Sequence, residues 1–323
     1  MKVCVYHRTM GHRIAEEVAR SHPGVTVQLV SETTSDPQGL EDIDVLVANT
    51  FPQGLLGRCG RLRWLHLTGG GVDHVAAGEP RTDLAVTHSG DVPARAVAEF
   101  VWMGLLAMAK DAPRLVDRQR AHEWRLPAGR LVAGSRMVLV GLGRIGSEIA
   151  RRAACFDVTV TAITRRGLPS PLVSEVLPAE RLLEALPRAD HLVLAAPATP
   201  ATRRLVDDRA LRALPAGAAL INVGRGSLLD APALVRALRE GRLRAALLDV
   251  HDEEPLPPES PLWDVENLWV TPHGAYRFPE EERDVARLFT ANLTAFMEGR
   301  EMRNRVDLGE PVAAGAPGTG AAS

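Results

Sequence analysis

Three residues of complementary chemistry recur at one kind of position in this sequence, just past an apolar, strand-like run. Arg225 lies in Ile221-Asn-Val-Gly-Arg-Gly226, Glu254 in Asp249-Val-His-Asp-Glu-Glu-Pro255, and His273 in Thr271-Pro-His-Gly274. Asp252 and Glu253 adjoin Glu254, but only Glu254 stands directly before Pro-Leu. In an open α/β sheet ligands bind beyond the carboxyl ends of the strands, so a guanidinium, a carboxylate and an imidazole would converge there. Such a set can hold an anion, move a proton and tune the proton carrier, which is what reduction of a 2-oxo acid requires. Taken singly, each residue has a plainer use: a histidine at a turn, a glutamate in a solvated acidic run, an arginine among many. Their order behind a nucleotide loop is what favours chemistry.

That loop is Gly141-Leu-Gly143-Arg-Ile-Gly146, with the buried-strand run Met137–Val140 before it and a helical run from Ile145 after it. In this context Gly141 permits a tight turn, Gly143 lets the backbone approach a pyrophosphate, and Gly146 lets helix and strand pack closely. The helix N-terminus faces the phosphates. A ribose-reading acid is expected at the end of the next strand, yet Val158–Ile163 runs into Thr164-Arg165-Arg166 with no Asp or Glu. Threonine and two guanidinium groups suit the 2′-phosphate of NADP(H), with NAD(H) the other possibility. All but two of the 38 basic residues are arginines, so Arg165 and Arg166 carry less information than their charge suggests.

The elements that position these residues follow an α/β rhythm. Strands are expected at Lys2–Tyr6, Val25–Val30, Val45–Ala48, Leu62–Leu67 and Ala85–His88, with helix-like pieces at Gly11–Arg20 and Pro52–Arg58. A long apolar helix follows over Ala94–Ala109, then a polar stretch from Asp111 to Arg130. Six further strands are expected: Met137–Val140, Val158–Ile163, His191–Ala195, Ala218–Asn222, Ala245–Asp249 and Leu268–Val270. A last helix spans Pro279 to Met297, and the Gly/Ala/Pro tail from Gly309 reads as disordered. Strands alternating with helices imply parallel sheets covered on both faces.

Composition excludes several classes. The 323 residues are 46 % hydrophobic and 24 % charged, which suits two globular domains rather than a disordered or fibrous chain. A net charge of −2 argues against a nucleic-acid surface. Cys4, Cys59 and Cys155 form no C-x-x-C pair, so neither a disulfide framework nor a metal site is indicated. The start is strand-like rather than a signal peptide, and no run of about 18 apolar residues suggests a membrane span. A cytoplasmic protein is expected. Cys155 and Trp124 read as packing residues, and His66, His74, His88 and His251 as structural.

Taken together, the ordered motifs resemble the D-isomer-specific 2-hydroxyacid dehydrogenases. They are Gly69-Gly-Gly-Val-Asp-His74, Ala96-Val-Ala-Glu99, the glycine loop, Ala196-Pro-Ala-Thr-Pro-Ala-Thr202, Asn222-Val-Gly-Arg-Gly226, Asp249 to Pro255 and Thr271-Pro-His273. The resemblance implies two doubly wound α/β domains, with a Rossmann cofactor domain (91–278) inserted in a discontinuous, flavodoxin-like substrate domain (1–90 and 279–308), and a site in the cleft between them. It implies that Arg225 holds the substrate carboxylate and carbonyl oxygen. His273 would be the general acid in reduction and Glu254 the partner that favours its protonated form. Asp249 would face the nicotinamide carboxamide, and the N–H groups of Gly70, Gly71 and Val72 would cradle the substrate carboxylate. The cofactor surface would take in Gly141, Gly143, Arg144, Ile145, Gly146, Thr164, Arg165, Arg166, Pro197, Thr202, Val223, Asp249, His273 and Ala275. A homodimer formed through the cofactor domains is also implied.

The reading is therefore an NADPH-preferring reductase of a small 2-oxo acid, similar to the glyoxylate and hydroxypyruvate reductases. After His273 the sequence is bulkier than is usual in the family, and Tyr276 or Arg277 could narrow or charge the pocket. Two other readings stay open: a phosphite- or other-substrate dehydrogenase on the same scaffold, and a nucleotide-sensing binding protein that keeps the same three residues. Formate oxidation pairs the histidine with glutamine, and Glu254 speaks against it.

Overall fold

The computed structural model describes residues 1–34, 37–72, 75 and 83–306. Asp73, His74 and the tail from Gly309 lie outside the described residues. The chain divides into two compact units, one of residues 1–92 together with the chain from Pro279, the other of Pro93–Phe278.

In the first unit five short aliphatic runs form β1 (Lys2–Tyr6), β2 (Thr26–Val30), β3 (Val45–Ala48), β4 (Trp64–Leu67) and β5 (Ala85–His88). All pair in parallel in the order β5-β4-β3-β1-β2, the flavodoxin-like arrangement. Strand periodicity decides the packing. Val45 and Val47 face one core with Trp64, while Leu46 and Ala48 face the other with Leu65 and Leu67. Phe289 and Leu293 of the Glu281–Met297 helix complete the Trp64 core, and Phe289 stacks on the Trp64 ring. This burial explains why the last helix belongs with the first ninety residues.

The second unit holds β6 (Arg136–Val140), β7 (Thr159–Thr164), β8 (Glu175–Pro178), β9 (His191–Leu194), β10 (Ala218–Asn222), β11 (Leu243–Leu248) and β12 (Leu268–Val270). They pair in parallel in the order β12-β11-β10-β9-β6-β7-β8. Strand order reverses between β6 and β9, the switch point of a Rossmann sheet. Again alternate residues divide: Met137 and Leu139 face one core, Val138 and Val140 the other. The sequence reading expects six strands here, and the seventh is β8, a four-residue edge strand ending in proline that periodicity does not reveal. A two-residue strand, β13 (Arg305–Val306), adds antiparallel to β5 in the first sheet.

The Asp91–Ala109 helix is, against expectation, long and apolar enough to cross a membrane. Its apolar side is spent on protein: Val97, Val101, Trp102, Leu105 and Met108 are buried, and Trp102 Nε1 donates to the Ile149 carbonyl at 3.1 Å. The polar stretch contains an unexpected helix, Ala112–Arg120, which buries no side chain and so shows no apolar stripe. Two packing expectations are corrected. Trp124 is fully exposed, because residues 121–131 form no regular element that would carry it into a core, and Cys155 is exposed too.

Candidate active site

The glycine loop joins β6 to the Arg144–Ala153 helix. Gly141 has φ +98°, which favours glycine, and a Cβ there would lie 2.7 Å from the Ala195 carbonyl oxygen. At Gly146 a Cβ would stand 2.0 Å from the Gly141 oxygen, so any side chain would break the turn. Gly143 caps the helix, is exposed, and has open space where a Cβ would project. Arg144 is exposed beside it and Ile145 half-buried. A helix N-terminus behind a side-chain-free cradle is the form an anionic pyrophosphate needs, so these residues fit a dinucleotide.

Beyond β7, the Thr164 hydroxyl accepts from the Gly167 N–H at 3.0 Å, which shapes the turn. Arg165 and Arg166 are exposed and, among the described residues, make no ion pair. No carboxylate stands within the turn Thr164–Gly167. After β9, Thr202 Oγ1 donates to the Pro197 carbonyl at 2.8 Å and closes that loop, while Val223, after β10, is buried.

Arg225 follows β10 on a turn built by Asn222. That side chain is fully buried; its Oδ1 accepts from the Gly224 N–H at 3.0 Å and its Nδ2 donates to the Arg225 carbonyl at 2.9 Å. The guanidinium is half-buried and donates to the Gly224 carbonyl at 2.7 Å. A Cβ at Gly226 would lie 2.0 Å from the His251 carbonyl carbon, so glycine there lets the Arg225 turn lie directly against the backbone that carries Glu254.

Glu254 and His273 meet across the ends of β11 and β12. Glu254 Oε2 lies 2.7 Å from His273 Nδ1, and Oε1 accepts from the His251 N–H at 2.8 Å. Burial pushes the Glu254 carboxyl up, but hydrogen bonds from His273 and the His251 N–H, with the charge of both histidines, pull it below the ordinary glutamate range. The His251 ring holds the Thr271 carbonyl at 3.0 Å. Tyr276 sets its ring edge-on to His273, with centroids 6.1 Å apart, and the Arg277 guanidinium lies over Tyr276.

Asp249 is buried and faces protein. Oδ1 accepts from the Thr271 hydroxyl at 2.7 Å and the Gly274 N–H at 2.9 Å, and Oδ2 from the N–H of buried Ala275 at 3.0 Å. Sequence reasoning passed over Asn222 and Thr271. The one available signal for Asn222 was a polar residue closing an otherwise apolar strand. Gly70, Gly71 and Val72 follow β4 in the first unit, Gly70 exposed and the other two half-buried.

Arg225, Glu254 and His273 thus stand on the ends of three neighbouring strands of the sheet that carries the glycine loop. Residues 102–275 match the family described as D-isomer specific 2-hydroxyacid dehydrogenase, NAD binding domain. A glyoxylate reductase of Aeropyrum pernix is 33 % identical over 275 residues, covering 81 % of each chain. A D-isomer specific 2-hydroxyacid dehydrogenase from Xanthobacter autotrophicus, solved with NADPH and MES, superposes with a TM-score of 0.86 at 31 % identity, over 95 % of this chain and 98 % of that one. An NADPH-dependent glyoxylate/hydroxypyruvate reductase of Sinorhizobium meliloti, solved with NADP and sulfate, gives 0.84 at 27 % identity, over the same 95 % and 98 %.

Proposed function

Since the chain belongs to the D-isomer specific 2-hydroxyacid dehydrogenase family, we propose that it reduces a small 2-oxo acid of the glyoxylate or hydroxypyruvate kind to the D-2-hydroxy acid, with NADPH favoured over NADH. The observation that carries the reading is the 2.7 Å pair of Glu254 and His273 beside the Arg225 turn. Relatives named as glyoxylate reductases, and one solved with NADPH, support the substrate class and the cofactor.

A dinucleotide held by the glycine loop, Arg144 and the turn after β7 would supply the hydride that the 2-carbonyl carbon takes up. The chain's own residues do the rest. Arg225 binds the substrate carboxylate and offers its planar donors to the carbonyl oxygen, where negative charge develops. His273 donates a proton to that oxygen from Nε2, because Nδ1 is committed to Glu254. Glu254, ionised throughout the neutral range, stabilises the imidazolium before transfer and fixes the ring's orientation. In the reverse direction the same imidazole accepts the hydroxyl proton. The residues past β7 fit a 2′-phosphate: Arg165 and Arg166 are exposed cations that, among the described residues, make no ion pair, and the turn Thr164–Gly167 holds no carboxylate to repel it. Exposed apolar side chains from Met103 to Leu131 support a homodimer formed through the second unit.

A panel of glyoxylate, hydroxypyruvate and pyruvate against NADPH and NADH tests the proposal. Turnover of at least one acid with NADPH, abolished in His273→Ala with cofactor binding retained, is expected. Absence of turnover with all three would reject it in favour of another substrate or a binding role.

A further inference from the structure

We propose that Asp249 is a positioning residue for His273: its carboxylate clasps the loop after β12 and holds the histidine backbone where the ring meets Glu254. The inference rests on the reading of His273 as the proton carrier, and it gives Asp249 a role that contact with a nicotinamide does not.

His273 has φ +52°, a left-handed conformation that crowds the Cβ of any residue but glycine. Something must hold it there. The next two N–H groups, of Gly274 and Ala275, converge on Asp249, at 2.9 Å to Oδ1 and 3.0 Å to Oδ2. Successive N–H groups beside a left-handed residue form a concavity that binds an anion, and here the anion is a side chain from the neighbouring strand. Thr271, on the other side of the histidine, donates its hydroxyl to Oδ1 at 2.7 Å. The carboxylate therefore grips the loop before and after His273.

The clasp is also what the carboxylate itself requires. Asp249 is 2 % exposed and, among the described residues, has no ion-pair partner. Three neutral donors stabilise its charge in place of water. Because Asp249 directly follows β11 and His273 lies three residues past β12, the clasp fixes the separation of the two strand-end loops. Glu254 lies on the first of those loops, so its distance to His273 depends on the same contacts. An asparagine at 249 would turn an NH2 group towards one of three donors and open the clasp on that side.

The test uses the full-length enzyme with Asp249→Asn and Thr271→Val. Four readouts are taken: kcat with glyoxylate, Kd for NADPH, thermal midpoint, and the downfield imidazole N–H proton resonance of the His273–Glu254 hydrogen bond, assigned by its loss in His273→Ala. For Asp249→Asn we expect kcat to fall by about 100-fold at saturating NADPH, with the resonance broadened or lost. Thr271→Val removes one of three donors and should show the same signature at several-fold. It carries the test alone if Asp249→Asn does not fold. A weakened NADPH Kd with resonance and kcat intact would make Asp249 a cofactor ligand only. A lowered thermal midpoint with both intact would make it structural only. Either result overturns the proposal. The resonance needs neither substrate nor turnover, so it decides the clasp even if the wild type reduces none of the 2-oxo acids and the functional reading fails.

Discussion

Glu254 and His273 stand 19 residues apart, on the ends of different strands, and meet at 2.7 Å between Oε2 and Nδ1. The contact occupies Nδ1, so under the proposed function Nε2 is the nitrogen left to exchange a proton with a substrate. It also holds the Glu254 carboxylate ionised below the pH at which an ordinary glutamate is protonated, even though partial burial works the other way.

Replacing Glu254 by glutamine keeps the shape and removes the charge. Reduction needs the imidazolium, which the variant no longer stabilises. We expect kcat/KM for reduction to fall by about 100-fold at neutral pH. A kcat/KM equal to wild type would remove Glu254 from the mechanism. The same substitution predicts a stability effect at acid pH. A carboxylate whose folded pKa is depressed stabilises the fold fully above its unfolded value, about 4.3, and this is lost as pH falls through the lower folded one. Unfolding curves from pH 6 to pH 3 should therefore descend more steeply for wild type than for Glu254→Gln.

Arg165 and Arg166 offer the clearest test of cofactor choice. Both are exposed and, among the described residues, make no hydrogen bond or ion pair through the side chain, so alanine at either removes no internal polar contact. A charge-assisted hydrogen bond contributes roughly 1.5–3 kcal/mol. The ratio of kcat/KM for NADPH over NADH should then drop by about 10-fold or more in Arg165→Ala and further in the double variant. Wild-type preference for NADH would refute the assignment outright.

His66 predicts a pH dependence of stability in the first unit. Trp64 Nε1 donates to Thr87 Oγ1 at 2.8 Å; that oxygen lies 2.7 Å from His66 Nδ1, and Ser89 Oγ lies 3.0 Å from Nε2. Burial, then the neighbouring His88, pushes the His66 pKa down to about 3. Between about pH 6.5 and 3 the unfolded chain binds a proton here that the folded chain refuses. Stability is therefore complete above 6.5 and falls with decreasing pH, by up to about 1.4 kcal/mol per pH unit. His66→Gln should be less stable at pH 7 but show a shallower decline towards pH 4.5 in urea unfolding. An equal slope in both proteins would exclude His66 as the titrating group.

Local signals made the sheets legible. β1, β3, β5, β10 and β12 match the expected runs residue for residue, because each is a short apolar run bounded by turn residues. β8 and the Ala112–Arg120 helix escaped for the opposite reason: one is a proline-ended edge strand and the other buries nothing, so neither leaves a period in the sequence. The placement of Arg225, Glu254 and His273 at strand ends was equally legible. What holds them was not. Two of the three donors to the Asp249 clasp are backbone N–H groups, and their convergence depends on a positive φ at His273, which no side-chain pattern records. Trp124 misled for a related reason. Its size suggests a core, but only tertiary structure shows that its segment reaches none.

That exposed segment yields the remaining prediction. Trp124, Leu126 and Leu131 are 103 %, 88 % and 78 % exposed, and Met103 and Val116 of the same unit are exposed as well. Leaving such side chains in water is unfavourable by about 25 cal/mol per Å² of apolar surface relative to burying them. A second copy of the chain covering them, as in the proposed homodimer, would relieve this. Wild type should therefore run as a dimer in size-exclusion chromatography with light scattering. Trp124→Asp combined with Leu126→Asp should shift it to a monomer. Both side chains lie outside the packed cores, so the variant monomer should keep its far-ultraviolet circular dichroism. A monomeric wild type, or a variant that stays dimeric, would place the interface elsewhere. A variant that loses its secondary structure would mean instead that the segment supports the fold of its own chain.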